Sequence, residues 1–120
     1  MESKSKRYQP LFEMATIDKV DKLTVIVYTD HMPKHFHVLK KDAFEITINL
    51  NTLKIIDYKW QKNNIKISSN EKALLKKWYS ENNKKESTLT NLQAIRFAWN
   101  LLNPNKRYLY GKRTLHNRTI

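Results

Sequence analysis

Alternating apolar and polar residues predict that the middle of the chain is a series of short β-strands. Leu23–Tyr28 is rich in β-branched and aromatic residues, which favours a buried strand. His35–Lys40 forms a second predicted strand, and residues 44–50 and 53–60 form two more. Because the connections between them are short, neighbouring strands are expected to pair in antiparallel fashion.

Helical spacing replaces this alternation towards the C-terminal part of the chain. Ser68 with Glu71, and Thr90 with Gln93, each match a capping box, in which two side chains bind the free amides at the start of a helix. Apolar residues then recur at helical spacing to about residue 83 in the first helix and to residue 102 in the second. Pro104 is expected to end the second helix.

These elements predict an α+β fold with an antiparallel sheet of about four strands and two C-terminal helices. Each helix has one apolar stripe, so both are expected to pack on one face of the sheet. His35 and His37 are expected on the other face, projecting into solvent. The predicted domain organisation is a flexible N-terminal arm over 1–15, a single domain over 16–104 and a basic C-terminal tail over 105–120.

Length and composition narrow the class of protein further. The chain has 120 residues and no cysteine. That length suits one domain with a real core, and the lack of cysteine excludes disulfides and thiolate metal ligands. No secretory signal follows the basic N-terminus, and the longest strongly apolar stretch, residues 23–28, is too short to cross a bilayer. A cytoplasmic protein that makes no membrane contact is therefore expected.

The strongest signal in the composition is a net charge of +12, from 23 Lys and Arg against 11 Asp and Glu. An excess of this size attracts polyanions, so we expect nucleic acid or an acidic protein as partner. Aromatic residues lie among Lys and Arg residues in two segments, residues 58–64 and 106–118. Their rings can stack on unpaired nucleobases. The alternatives are that Tyr58 and Trp60 share one strand face and pack into the core, and that the tail has no partner. The candidate nucleic-acid-binding residues are Lys59, Lys62, Lys106, Arg107, Tyr110, Lys112 and Arg113.

Three of the four histidines lie within seven residues, at His31, His35 and His37. His35 and His37 are two apart on a strand and so share a face, which suits two ligands of one divalent metal ion such as Zn²⁺ or Mn²⁺. His31 is the candidate third ligand. Asp30 or Asp42 is expected to act as a fourth ligand or to orient an imidazole.

The same cluster has two other interpretations. His35, His37 and Asp30 are the candidate catalytic residues of a metal-free acid–base site. Alternatively, the histidines have a structural role and bind neighbouring backbone, with Asp30 capping the turn. The sequence does not choose between these interpretations.

The stretch from Asp30 to Val38, Asp-His-x-Pro-x-His-Phe-His-Val, resembles the hallmark of a small prokaryotic family, domain of unknown function 4160. The resemblance extends from Leu23 to Pro104 and includes Trp78 and the run from Ala98 to Pro104. It implies short strands followed by helices that carry tryptophans. It supplies no established reaction. It also implies a gene placed beside another small protein, in an arrangement like a toxin–antitoxin or mobile-element pair.

Three hypotheses for function follow. The first is a basic binding module that contacts nucleic acid or an acidic protein, as a component of such a pair. The alternative is a nuclease or phosphodiesterase in which the histidine cluster holds a metal or transfers protons. A third hypothesis is an antitoxin or inhibitor that presents charge to an acidic protein.

Overall fold

The computed structural model describes residues 14–30 and 32–109. It confirms the α+β class, with one antiparallel sheet in the order β1-β2-β3-β4-β5 and two helices after it. Each strand therefore pairs with its neighbour in sequence. The elements are β1 (Met14–Val20), β2 (Leu23–Tyr28), β3 (His35–Lys40), β4 (Phe44–Asn49), β5 (Ile55–Gln61), α1 (Ser69–Tyr79), α2 (Asn91–Leu102) and a 3₁₀ turn (Pro104–Lys106).

The sheet has five strands where the sequence predicted about four, because β1 was missed. Only Ile17 is buried in this strand, and it is the extra residue of an irregularity between Thr16 and Asp18 in the pairing with β2. A bulge of this kind breaks the two-residue period that marks a strand in sequence. β1 takes in residues 14 and 15 of the predicted arm, and the rest of that arm lies outside the described residues.

The hydrophobic core lies between the sheet and the helices. Val25, Val38 and Ile46 stand opposite one another on β2, β3 and β4, so their side chains share one face. Fully burying a side chain of this size contributes roughly 1.5–3 kcal/mol. The helices add to the same core cluster with Leu75, Trp78, Ile95, Ala98 and Trp99.

Both predicted capping boxes are confirmed. The Ser68 hydroxyl accepts the Glu71 N–H, and the Glu71 carboxylate accepts the Ser68 N–H. Thr90 and Gln93 make the same pair of bonds at the start of α2. Each box satisfies two of the amides that a helix start leaves unbonded. The sequence therefore located both helix starts.

Strand β5 contains two irregularities in its pairing with β4, one of which places Lys59 as an extra residue. Tyr58 stands opposite Ile46, on the core face, and its hydroxyl accepts the Ile67 N–H at 3.0 Å. Trp60 stands opposite Glu45, on the other face, and is 41% exposed. The expectation that Tyr58 and Trp60 share a face was wrong, because the bulge reverses the alternation between them.

The tight turns use residues other than glycine in the left-handed region of the backbone. The described part of the chain contains no glycine, because the single glycine of the sequence is Gly111, and five residues there have positive φ angles. Four of the five are Asp or Asn, the types that tolerate this conformation best. They are Asp21, Asp42, Leu53, Asn63 and Asn64.

None of the helices found in the described residues has the length and apolar character needed to span a membrane.

Candidate functional site

Asp30, His35 and His37 come together at one end of the interior strands β2 and β3. Asp30 follows β2 by two residues, and both histidines lie in the first half of β3. The Asp30 Oδ2 atom lies 2.9 Å from His35 Nε2 and 3.2 Å from His37 Nε2. One carboxylate oxygen is therefore shared by two imidazole rings.

The second nitrogen of each ring has a partner of its own. His35 Nδ1 donates to the Pro33 carbonyl at 2.6 Å, and His37 Nδ1 lies 2.9 Å from Glu45 Oε2. A carbonyl oxygen can only accept, so the proton on His35 Nδ1 is fixed by its partner. With a carboxylate as its partner, His37 Nδ1 donates in the same way. Both rings therefore direct Nε2 at Asp30.

The rings are buried, which corrects the expectation that they project into solvent. His35 is 6% exposed and His37 is 2% exposed. The edge of the Tyr28 ring packs on His37 at 4.5 Å between centroids, and the indole of Trp99 lies 5.9 Å from the His35 ring. The cluster is thus a polar group enclosed by aromatic side chains.

The C-terminal end of α2 fixes the backbone of Asp30. Asn103 Oδ1 accepts the Asp30 N–H at 2.9 Å, and Asn103 Nδ2 donates to the Tyr28 carbonyl at 3.1 Å. Lys106 Nζ donates to the Asp30 carbonyl at 2.8 Å. The carboxylate is thereby placed by residues more than 70 positions away in sequence.

The pKa of Tyr28 is raised by its place beside the cluster. Burial raises the pKa of its phenol, and the negative charges of Glu45 and then Asp30 raise it further. Both effects disfavour tyrosinate, so Tyr28 stays a neutral phenol around neutral pH. It lines the cluster as an aromatic wall and adds no charge.

The site residues predicted from sequence are partly brought together. Asp30, His35 and His37 meet, whereas His31 lies outside the described residues. Asp42 lies exposed in the turn between β3 and β4, at the opposite end of β3.

The sequence analysis did not assign Glu45 to the site. The pairing of Leu39 with Glu45 puts the carboxylate diagonally across from His37, two residues along the strand. The alternation of apolar and polar residues in β4 indicates which side chains share a face with Glu45. Only the register between β3 and β4 identifies His37 as the residue that Glu45 contacts.

The predicted nucleic-acid contacts fall in three groups. Lys59 and Lys62 are exposed on either side of Trp60. Lys106 is half-buried and its Nζ donates to the Asp30 carbonyl, while Arg107 is exposed. Tyr110, Lys112 and Arg113 lie outside the described residues.

A cavity of about 550 Å³ lies between α1 and the β4–β5 connection. Its floor is apolar and includes Ile55, Ile67 and Leu75, while Lys54, Lys72 and Lys76 also line it. Three lysine side chains therefore line a cavity at the end of the molecule that carries β5.

Comparison with family models places residues 23–86, more than half of the chain, within the domain of unknown function DUF4160. The matched region runs from the start of β2 past the end of α1 and contains Asp30, His35, His37 and Glu45. Neither the curated proteins nor the solved structures give a significant match.

Proposed function

We propose that this chain, which belongs to the DUF4160 family, is a binding module that contacts single-stranded nucleic acid through strand β5. The supporting observation is that Trp60 is 41% exposed and that Lys59 and Lys62, on either side of it in sequence, are exposed as well. An aromatic ring can stack on an unpaired base while neighbouring lysines bind phosphates. The Lys59 bulge matters here, because it turns Trp60 away from the core.

The charge around β5 favours an anionic partner. Residues 51–80 contain seven lysines and two acids. Both acids already have partners, since Asp57 accepts from the Thr47 hydroxyl and Glu71 accepts from Lys40 at 2.7 Å. The lysine charge on this end of the protein is therefore poorly balanced, which attracts phosphate groups.

The burial of the histidines favours binding over hydrolysis. A nuclease that uses His35 and His37 must bring a phosphate within hydrogen-bonding reach of a ring nitrogen. At 6% and 2% exposure, with every ring nitrogen directed at a protein oxygen, neither ring offers a free nitrogen to a polymer. We therefore place the contact surface on β5 and assign the cluster another role. A cytoplasmic location and a toxin–antitoxin or mobile-element context are part of this proposal.

Binding of fluorescently labelled single-stranded RNA and DNA, followed by anisotropy over a range of salt concentrations, tests the proposal. The wild-type protein is expected to bind with an affinity that falls as salt rises. The double variant Lys59→Gln/Lys62→Gln should bind more weakly, with a slope of log affinity against log salt smaller by roughly 0.7 for each lost phosphate contact. Trp60→Ala should weaken binding while leaving that slope unchanged.

The matched control is Lys19→Gln/Lys22→Gln, which removes the same charge from exposed residues at the β1–β2 turn. Equal losses in the two double variants would show attraction by net charge alone and would refute a surface on β5. Poly-glutamate serves as the acidic-protein probe. If it binds as tightly as nucleic acid and Trp60→Ala leaves both affinities unchanged, an acidic protein replaces nucleic acid as the partner.

A further inference from the structure

We propose that Asp30, His35 and His37 form a binding site for one divalent transition-metal ion, held by Asp30 Oδ2 and the two Nε2 atoms. These three groups place their ligand atoms within 4.8 Å of one another. The inference is independent of nucleic-acid binding on β5, because it uses other residues on another part of the sheet.

The spacing of the ligand atoms fits a shared ion. Two ligands about 2.1 Å from a metal and about 90–110° apart lie roughly 3.0–3.4 Å from each other. The Asp30 oxygen lies 2.9 Å from His35 Nε2 and 3.2 Å from His37 Nε2. These two distances lie in or close to that range, and the two histidine nitrogens, which lie within 4.8 Å of each other, complete the set.

The contacts of the Nδ1 atoms match those of metal-binding histidines. Such a histidine usually donates its other N–H to a carbonyl or a carboxylate, which fixes the tautomer and the ring orientation. His35 does this to the Pro33 carbonyl and His37 does it to Glu45. Both rings consequently direct Nε2 at the same point, where a metal ion would replace any proton on that nitrogen.

The ligand types indicate which ions fit. Two imidazole nitrogens and one carboxylate oxygen suit Zn²⁺ and its first-row neighbours, whereas Mg²⁺ and Ca²⁺ prefer oxygen-only sites. An ion at this point would coordinate both Nε2 lone pairs and the Asp30 oxygen together. Protons can fill the same positions, so the test must separate a metal from protons.

The site would act as a clip between two parts of the fold. Asp30 belongs to the connection after β2, and the histidines belong to β3. Asn103 and Lys106 already hold the Asp30 backbone from the end of α2. An ion bound here would therefore tie α2 and its following turn to the sheet, and its binding energy would stabilise the folded state.

The experiment titrates chelator-treated, untagged full-length protein with Zn²⁺ and with Co²⁺, using Mg²⁺ as the contrasting ion. We expect one Zn²⁺ per chain, visible d–d absorption with Co²⁺, and a rise in Tm with Zn²⁺ that Mg²⁺ does not reproduce. In ¹⁵N spectra of the imidazoles, Zn²⁺ should shift the Nε2 signals of two histidines, while each Nδ1 remains protonated.

Variants assign the ligands. Asp30→Asn, His35→Gln and His37→Gln should each lower the Zn²⁺ affinity at least tenfold, whereas His116→Gln, at the one histidine outside the Asp30–Val38 motif, should leave it unchanged. Failure of the unaltered protein to bind stoichiometric Zn²⁺ or Co²⁺ would overturn the proposal, and this result needs no variant to fold. Wild-type affinity in folded His35→Gln or His37→Gln would overturn it too.

Discussion

The Asn103 side chain binds the backbone at both Asp30 and Tyr28. Its Oδ1 accepts the Asp30 N–H at 2.9 Å, and its Nδ2 donates to the Tyr28 carbonyl at 3.1 Å. The same amide group donates to the Trp99 carbonyl within α2. Asn103 is 4% exposed, so water cannot readily replace these bonds. One side chain therefore couples the end of α2 to the end of β2.

Replacing Asn103 with Ala should lower the free energy of unfolding by about 1–3 kcal/mol, because buried backbone groups lose their partner. Urea denaturation followed by circular dichroism measures the change. Asn105→Ala, at an exposed position two residues further on, is the control and should change stability by less than about 0.5 kcal/mol. Equal effects in both variants would contradict the coupling.

Glu45 should support the proposed metal site without binding the ion itself. Its carboxylate fixes the orientation of His37 through Nδ1, so Glu45→Ala is expected to weaken Zn²⁺ binding about 10-fold to 100-fold. Glu45→Gln keeps an oxygen that can accept the same proton, so it should lose less. Isothermal titration of both variants measures the two affinities. A Gln variant weaker than the Ala variant would count against this role.

Glu71 should make stability depend on pH in the acid range. Its desolvation acts to raise the pKa of this carboxyl, but the Lys40 hydrogen bond and charge, together with bonds to Ser68, outweigh it and lower the pKa from 4.5. A lowered pKa stabilises the fold above pH 4.5, and this contribution is lost as pH falls through the folded-state value.

Glu71→Gln isolates that charge, because Gln also completes a capping box, as Gln93 does in α2. The variant should be less stable than wild type at pH 7, and the difference should shrink as the solution is acidified below pH 4.5. Urea denaturation across this pH range measures both curves. A difference that stays constant in acid would exclude ionised Glu71 as its source.

Tyr79 should make stability depend on pH in the alkaline range. Burial raises the pKa of its phenol from 10.0 to about 12. The folded state therefore resists ionisation, and the stabilising effect present below pH 10 is lost as pH rises towards 12. Tyr79→Phe should show a shallower loss of stability over this range. Thermal unfolding at several alkaline pH values compares the two proteins, and parallel curves would contradict the assignment.

Local sequence information was enough to predict most of the fold. The strands β2 and β3 and the two capping boxes depend on residues within a few positions of each other, and all were predicted. The end of α2 just before Asn103 and Pro104 was predicted from the proline. Such features follow from the sequence because their physical causes are local.

The remaining features depend on pairing register and tertiary contacts. The contact of His37 with Glu45 requires the register of β3 and β4, and the position of Trp60 requires the bulge at Lys59. The contact of Asn103 with Asp30 spans 73 positions. The two-residue spacing of His35 and His37 predicted that these histidines are neighbours. Their burial depends on the rings of Tyr28 in β2 and Trp99 in α2.

The left-handed turn residues affect the denatured chain as well as the native one. Asp21, Asp42, Asn63 and Asn64 each have a β-carbon, which restricts the backbone conformations open to them before folding. Glycine in these positions would relax the native geometry but would enlarge the denatured ensemble. These turns therefore carry some backbone strain in the folded state, and the chain loses less conformational entropy on folding than it would with glycine at the same positions.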